Sequence, residues 1–162
     1  MKKWILFATA LCVVTVAGAL YASATKVSAA ASTPAYTLTV NGKEIQTSKT
    51  ELMPFEHKGT VLVPLRATVE SLGYKVSWLP AEKAILVEDS IQSVVVKDGS
   101  TLAKFTGKLK IINLTQDTEL PVPVQSRKGV TYVAASFFEP FFNEVIVKEG
   151  NVSISAQMSS IQ

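Results

Sequence analysis

Few side chains in this sequence could make or break bonds, and their numbers decide against most of that chemistry. His57 is the one histidine among 162 residues, and Cys12 is the one cysteine. A catalytic copper or zinc site takes two or three imidazoles or thiolates. His57 reads as a loop residue, which leaves neither a metal centre nor a Ser–His or Cys–His nucleophile pair. Two carboxylates can perform glycosidase chemistry, but the acids, Glu56, Glu82, Asp98 and Glu149 among them, fall at expected turns and helix surfaces, the ordinary place for solvated charge. Gly42, Gly107 and Gly150 stand singly at turns, not in a phosphate-cradling run. No catalytic residue, metal ligand or cofactor is expected.

What remains is recognition chemistry. Trp78 reads as a cap on the core beneath a helix, the other reading being an exposed platform for stacking a sugar. Phe137, Phe138, Phe141 and Phe142 fall within six residues, and a two-turn helix buries a face of only about 100°. Phe138, Phe141 and with them Phe142 fit a core stripe, while Phe137 points elsewhere. Burial between two lobes would absorb all four; an exposed remainder would form a partner-binding patch. The candidate binding residues are therefore Phe137, Phe142 and Trp78. Arg66 and Glu70, four apart, form either an exposed pair worth a few tenths of a kcal/mol or a tie to loop carbonyls. Both are read as structural, together with Pro64 and Gly73.

These residues need strands and short helices to position them. Residues 36–40 alternate and meet Asn41-Gly42 before Lys43-Glu44-Ile45, a strong hairpin signal because both central positions of a type I′ turn need positive φ. Residues 61–63 form an apolar strand ending at Pro64, which suits the first position of a helix. Leu65, Val69 and Leu72 then recur at helical spacing over 65–72, and Gly73 stands where a left-handed C-cap belongs. Residues 74–78 and 84–87 are strands. The order then returns: a strand over 91–96, strands over 102–105 and 109–112 flanking Gly107-Lys108, and an echo of residues 59–63 in 129–133. Ser136 and Glu139 have capping-box spacing at the start of a second helix, and residues 144–147 and 152–154 close with a hairpin. Leu72 and Phe141 hold equivalent places on the two helices. The copies lie about seventy residues apart, with one residue missing in the second helix, which suggests a duplicated unit and not a solenoid. The fold class predicted is α+β: a duplicated β-β-α-β-β unit, with antiparallel sheets each packed on a short helix.

Charge narrows the partners. The formal charge is +3 and the pI about 9.0. Lys2, Lys3 and Lys26 lie in the first thirty positions, where no acid does, so thirteen basic and thirteen acidic residues balance beyond Ala30. No Arg/Lys stripe is left for a phosphate backbone, and nucleic acid is not an expected partner. The first thirty residues follow an export pattern: Lys2 and Lys3, an uncharged run over 4–21, and a small-residue site at Val27-Ser28-Ala29, with an earlier option at Ala22-Ser23-Ala24. An uncleaved anchor is the alternative, and contact with the membrane is expected only through that segment. Leu11 before Cys12 argues against lipidation. An exported chain without cysteine past that segment suits a bacterium, and among bacteria a Gram-positive one. The expected layout is a signal peptide over 1–30, a linker over 31–35, a module over 36–157 in half-repeats 36–90 and 91–157, and a tail over 158–162.

Residues 58–78, from Lys58-Gly-Thr-Val-Leu-Val-Pro-Leu-Arg through Glu70-Ser-Leu-Gly to Val76-Ser-Trp78, with Val40-Asn-Gly-Lys43 upstream, resemble the copper amine oxidase N-terminal-like, or stalk, domain family. The likeness covers roughly 36–156. The second half departs from it at Val133-Ala-Ala-Ser136, at Pro140 and in lacking a Trp after Val145. The resemblance implies an α+β accessory module of exported bacterial proteins, with copper and the tyrosine-derived cofactor confined to a separate catalytic domain. The functional expectation is a non-catalytic surface or cell-wall-associated module that binds or spaces other components, its partner a cell-wall polymer or another extracellular protein. An inhibitor or regulator of an extracellular enzyme, presenting the stiff segment 115–124 with Pro121 and Pro123 to a sheet edge, is the alternative. A cryptic hydrolase ranks last.

Overall fold

The computed structural model describes residues 36–45, 53–110 and 113–157. The expected signal segment, linker and tail lie outside the described residues. Thirteen strands are described, in three sheets, with two short helices between them. The mostly β, α+β class expected from the sequence is observed. No helix among the described residues is long and apolar enough to cross a membrane.

The first hairpin forms as its turn chemistry requires. β1 (Thr37–Val40) and β2 (Lys43–Glu44) pair antiparallel through Asn41 and Gly42, at φ 48° and 74°. β3 (Phe55–His57) and β4 (Thr60–Pro64) pair through Lys58-Gly59, and β10 (Gln125–Arg127) and β11 (Val130–Ala134) through Lys128-Gly129, all four turn residues again at positive φ. His57 thus closes a strand and does not sit in a loop. Glu56 is likewise on β3, where its Oε2 accepts a 3.1 Å bond from the Tyr36 hydroxyl.

The β3–β4 and β10–β11 hairpins each run straight into a helix. α1 spans Leu65–Ser71, with Pro64 as the last residue of β4 and the N-cap, one place earlier than expected. Leu65, Thr68 and Val69 are buried, and Thr68 Oγ1 donates to the Pro64 carbonyl at 2.8 Å. The helix stops at Gly73, φ 82°, whose N–H donates to Glu70 O while Tyr74 N–H donates to Val69 O, both at 3.0 Å. This is the double bond pattern of a Schellman cap.

The second helix differs from the expectation. Ala135–Phe141 is a 3₁₀ helix containing Pro140, and its N-cap, Ala134, makes no side-chain cap bond. The Ser136/Glu139 capping box does not form. The tighter winding places residues three apart on one side. Ala135, Phe138 and Phe141 are buried, Phe137 is buried beside them, and Glu139 and Phe142 are exposed.

A meandering sheet holds β5 (Lys75–Leu79), β6 (Ala84–Glu88), β7 (Gln92–Val96), β8 (Leu102–Gly107) and β9 (Gln116–Glu119) in sequence order. A second sheet has the order β10-β11-β4-β3, and a third the order β12-β13-β1-β2, with β12 at Asn143–Lys148 and β13 at Asn151–Ala156. The sheets are not antiparallel throughout: β1 pairs parallel to β13, joining the start of the described chain to its end. The expected strand over 109–112 is absent at Leu109 and Lys110; residues 111 and 112 lie outside the described residues. Gly107 ends β8 instead of making a turn, and a Cβ there would lie 3.0 Å from both Cβ and N of Leu114. Glycine is needed at that position for close approach, not for positive φ.

The main core collects Val63, Leu65, Val69, Val94, Phe105, Val133, Phe137, Phe138, Phe141 and Ile154 among its members. The opposite face of the β10-β11-β4-β3 sheet carries a smaller cluster of Leu62, Tyr132 and Ala134, covered by Val122. Leu120 and Val124 enter the main core while Val122 enters the smaller one, so the segment after β9 stitches the two together.

Candidate functional site

Two of the three sequence-nominated binding residues are exposed, and they line different grooves. Trp78 is 56% exposed and Phe142 50%, whereas Phe137 is 1% exposed. Phe137 is therefore corrected to a core residue. Its ring lies 5.1 Å from that of Phe138, 5.8 Å from Phe141 and 6.3 Å from Phe105, in the edge-on and tilted arrangements that aromatic quadrupoles favour. An α-helix at 3.6 residues per turn buries one stripe; a 3₁₀ helix wedged against more than one sheet buries two of its three sides.

The Trp78 groove encloses about 460 Å³. α1 supplies Arg66, Ala67 and Glu70 to it, preceded by Pro64, and the β5–β6 hairpin supplies Val76, Trp78 and Ile85. Along β5, Val76 and Trp78 point to the same side because strand side chains alternate, and their cross-strand partners Val87 and Ile85 extend that side into the core. Trp78 thus belongs to the core-facing side of the sheet but stands past the rim, on the edge strand. It does not cap the core as expected. Residues 129–131, in the turn before β11 and its first two positions, close the far side.

Arg66 Nη1 and Glu70 Oε1 are 3.3 Å apart, with side chains 66% and 57% exposed. The exposed-pair reading holds for Arg66. Pro64, Arg66 and Glu70, nominated as structural, all line the groove that holds Trp78. Sequence spacing could not bring Trp78 beside them, because that proximity depends on how the β5–β6 hairpin folds back over α1.

The Phe142 groove, about 640 Å³, gathers the C-terminal ends of both helices: Gly73 and Tyr74 after α1, Phe141 at the end of the 3₁₀ helix and Phe142 just after it. Phe142 takes the left-handed conformation, φ 60° and ψ 36°, with its N–H donating to Glu139 O at 2.9 Å. At the matching place after α1 stands a glycine, which adopts this conformation without the Cβ clash. Behind Phe142 the polar ties are made. Tyr74 OH donates to Asn143 Oδ1 at 3.0 Å, Asn143 Nδ2 donates to Phe138 O at 3.1 Å, and the buried Gln92 Nε2 donates to Pro140 O at 2.7 Å. Burial raises the Tyr74 phenol above its ordinary range, and Asp89 adds to the shift while the Asn143 bond opposes it. Lys108 Nζ bridges Glu88 Oε1 and the Asp89 carbonyl, each at 3.0 Å.

The segment 115–124 is not a free loop. Leu120, Val122 and Val124 are buried, and backbone bonds tie Leu120 N–H to Thr101 O, Gly99 N–H to Val124 O and Val124 N–H to Ser100 O, at 2.7 to 2.9 Å. Among the described residues, no three His, Cys, Asp or Glu side chains converge where they could hold a metal ion.

A β-rich module with two exposed aromatic grooves is the class these observations define. The chain matches the family model of the copper amine oxidase N-terminal domain over residues 39–155, more than half its length, and it belongs to that family. In copper amine oxidases this N-terminal domain is not the catalytic one. Among curated proteins, no sequence matches the chain.

Proposed function

We propose that this protein is a non-catalytic module acting outside the cytoplasmic membrane, where it attaches to a cell-wall polymer or to another extracellular component. The observation that carries the reading is Trp78, more than half exposed beside a groove, in a fold that otherwise buries its large aromatic clusters. Leaving an indole in water forgoes about 1–2 kcal/mol of burial, which a binding surface recovers when its partner arrives. Export rests on the n-region, apolar run and small-residue site of the first thirty residues.

The order hairpin, helix, hairpin occurs twice, β3–β4-α1-β5–β6 and β10–β11-3₁₀-β12–β13, which supports descent from a duplicated unit. The burial of Leu120, Val122 and Val124 disfavours an enzyme inhibitor built on segment 115–124, since its apolar side chains are already engaged. A pull-down from cell-wall extracts tests the proposal. Retention on wall polymer, or on a non-enzymatic component of the wall, is the expected result; capture of a single protease with neither retained would contradict it.

A further inference from the structure

We propose that the Trp78 groove is a sugar-stacking subsite for an uncharged, equatorially substituted pyranose of a glycan strand. The inference rests on the binding-module reading and names the ligand class of that site. An indole held at the lip of a groove is a flat apolar plate. Its complement is a ligand with one flat C–H face and polar edges, and a pyranose with equatorial substituents has that shape. The polar edges find partners around the plate. Arg66 brings guanidinium donors and Glu70 carboxylate acceptors, both exposed on α1, and Thr131 lines the same groove. A planar fork of donors beside a carboxylate suits neighbouring hydroxyls on a sugar ring.

Charge selects among flat-faced ligands. Arg66 and Glu70 offset one another at 3.3 Å, and the remaining lining side chains are uncharged. A lining with no net charge offers nothing specific to a nucleotide, a phosphate-rich polymer or an acidic peptide. An amphipathic helix would need a row of apolar anchor sites, and here one ring dominates the apolar lip. The remaining competitor is an extended peptide added to the free edge of β5, which is the outermost strand of its sheet.

The chain has two tryptophans, Trp4 and Trp78, so Trp4→Phe in the full chain leaves Trp78 as the reporter. Titration with a chitin-type hexasaccharide should shift its emission to shorter wavelength and shield it from acrylamide, with saturation. In calorimetry Trp78→Ala should weaken the hexasaccharide roughly tenfold to a hundredfold, and Trp78→Phe should restore part of the loss. Thermal melts of both variants check that they fold. Unmoved emission in a protein that still sediments with wall material would overturn the sugar subsite and leave the module reading standing. A shift with an extended uncharged peptide but not with the hexasaccharide would assign the groove to strand addition. Binding to neither the sugar nor wall material would remove both readings.

Discussion

Val63 and Val133 are Cα partners at the centre of the β4–β11 pair, with Leu62 opposite Ala134 and Pro64 opposite Tyr132. The two segments that resemble each other in sequence pair with one another about a local two-fold, Val63 meeting its own counterpart while Leu62 and Pro64 each meet the counterpart of the other. Both valines are fully buried, so their contact joins the two hairpin–helix units. Val63→Ala and Val133→Ala should each cost about 1–3 kcal/mol in denaturant melts. The double variant should depart from additivity by about 0.5 kcal/mol or more, as contacting residues do. Strict additivity would mean that the pair does not act as a unit.

Phe137→Ala should cost about 3–5 kcal/mol, a large part of the roughly 5–15 kcal/mol available to a domain. Phe138→Ala and Phe141→Ala should fall in the same range, because their rings form the same cluster. A Phe137→Ala loss below about 1 kcal/mol in a denaturant melt would contradict the packing described.

Phe142→Gly should behave differently. Glycine relieves the left-handed strain, about 1–2 kcal/mol, while the half-exposed ring forfeits a comparable amount of burial. The expected net change is within about 1 kcal/mol, measured by thermal unfolding. A core-sized loss would mean that the ring is anchored in the fold more firmly than its exposure indicates.

How much of this could be read in advance depended on how local each cause was. The Asn41-Gly42 hairpin and α1 with its Gly73 cap were legible because turn residues, helical spacing and a C-terminal glycine all act within a few positions. The second helix was misread because Ala134-Ala135-Ser136 and Pro140 carry no signal that separates 3₁₀ from α, and the face that Phe137 takes follows from that choice. Gly107 looked like a turn glycine but serves close packing against Leu114. The parallel β1–β13 pairing joins residues more than a hundred positions apart and has no local signature. For Trp78, the sequence suggested a cap on the core, and the side chain stands 56% exposed instead. The sequence could not say that β5 is an edge strand whose end runs past the core.

Arg66→Ala should lower stability by less than about 1 kcal/mol, because both partners of the Arg66–Glu70 pair are well exposed and screened by solvent. The loss should shrink further in high salt. Urea melts at low and high ionic strength check this; a salt-insensitive loss of 2 kcal/mol or so would mean that Arg66 ties down backbone carbonyls.

Alkaline pH should destabilise the fold through Tyr74. Burial raises its folded-state pKa above the ordinary 10.0, so the unfolded chain releases the phenolic proton first. The native state then holds more protons than the unfolded one, and stability falls as pH rises from about 10 through the folded value, being fully present below that range. Tyr74→Phe should flatten this part of the stability–pH curve. It should also lower stability at neutral pH by about 1–3 kcal/mol, since the nearly buried Asn143 loses the donor to its Oδ1. An unchanged alkaline slope in the variant would assign the effect to another group.

Sedimentation of the Trp78→Ala protein with purified wall material, beside the unaltered protein and with both melts recorded, tests most directly whether the exposed tryptophan is where this module binds. The account predicts that the unaltered protein is found in the pellet, that Trp78→Ala stays in the supernatant, and that the two melting midpoints agree closely. Equal retention of both proteins on the wall material would contradict it.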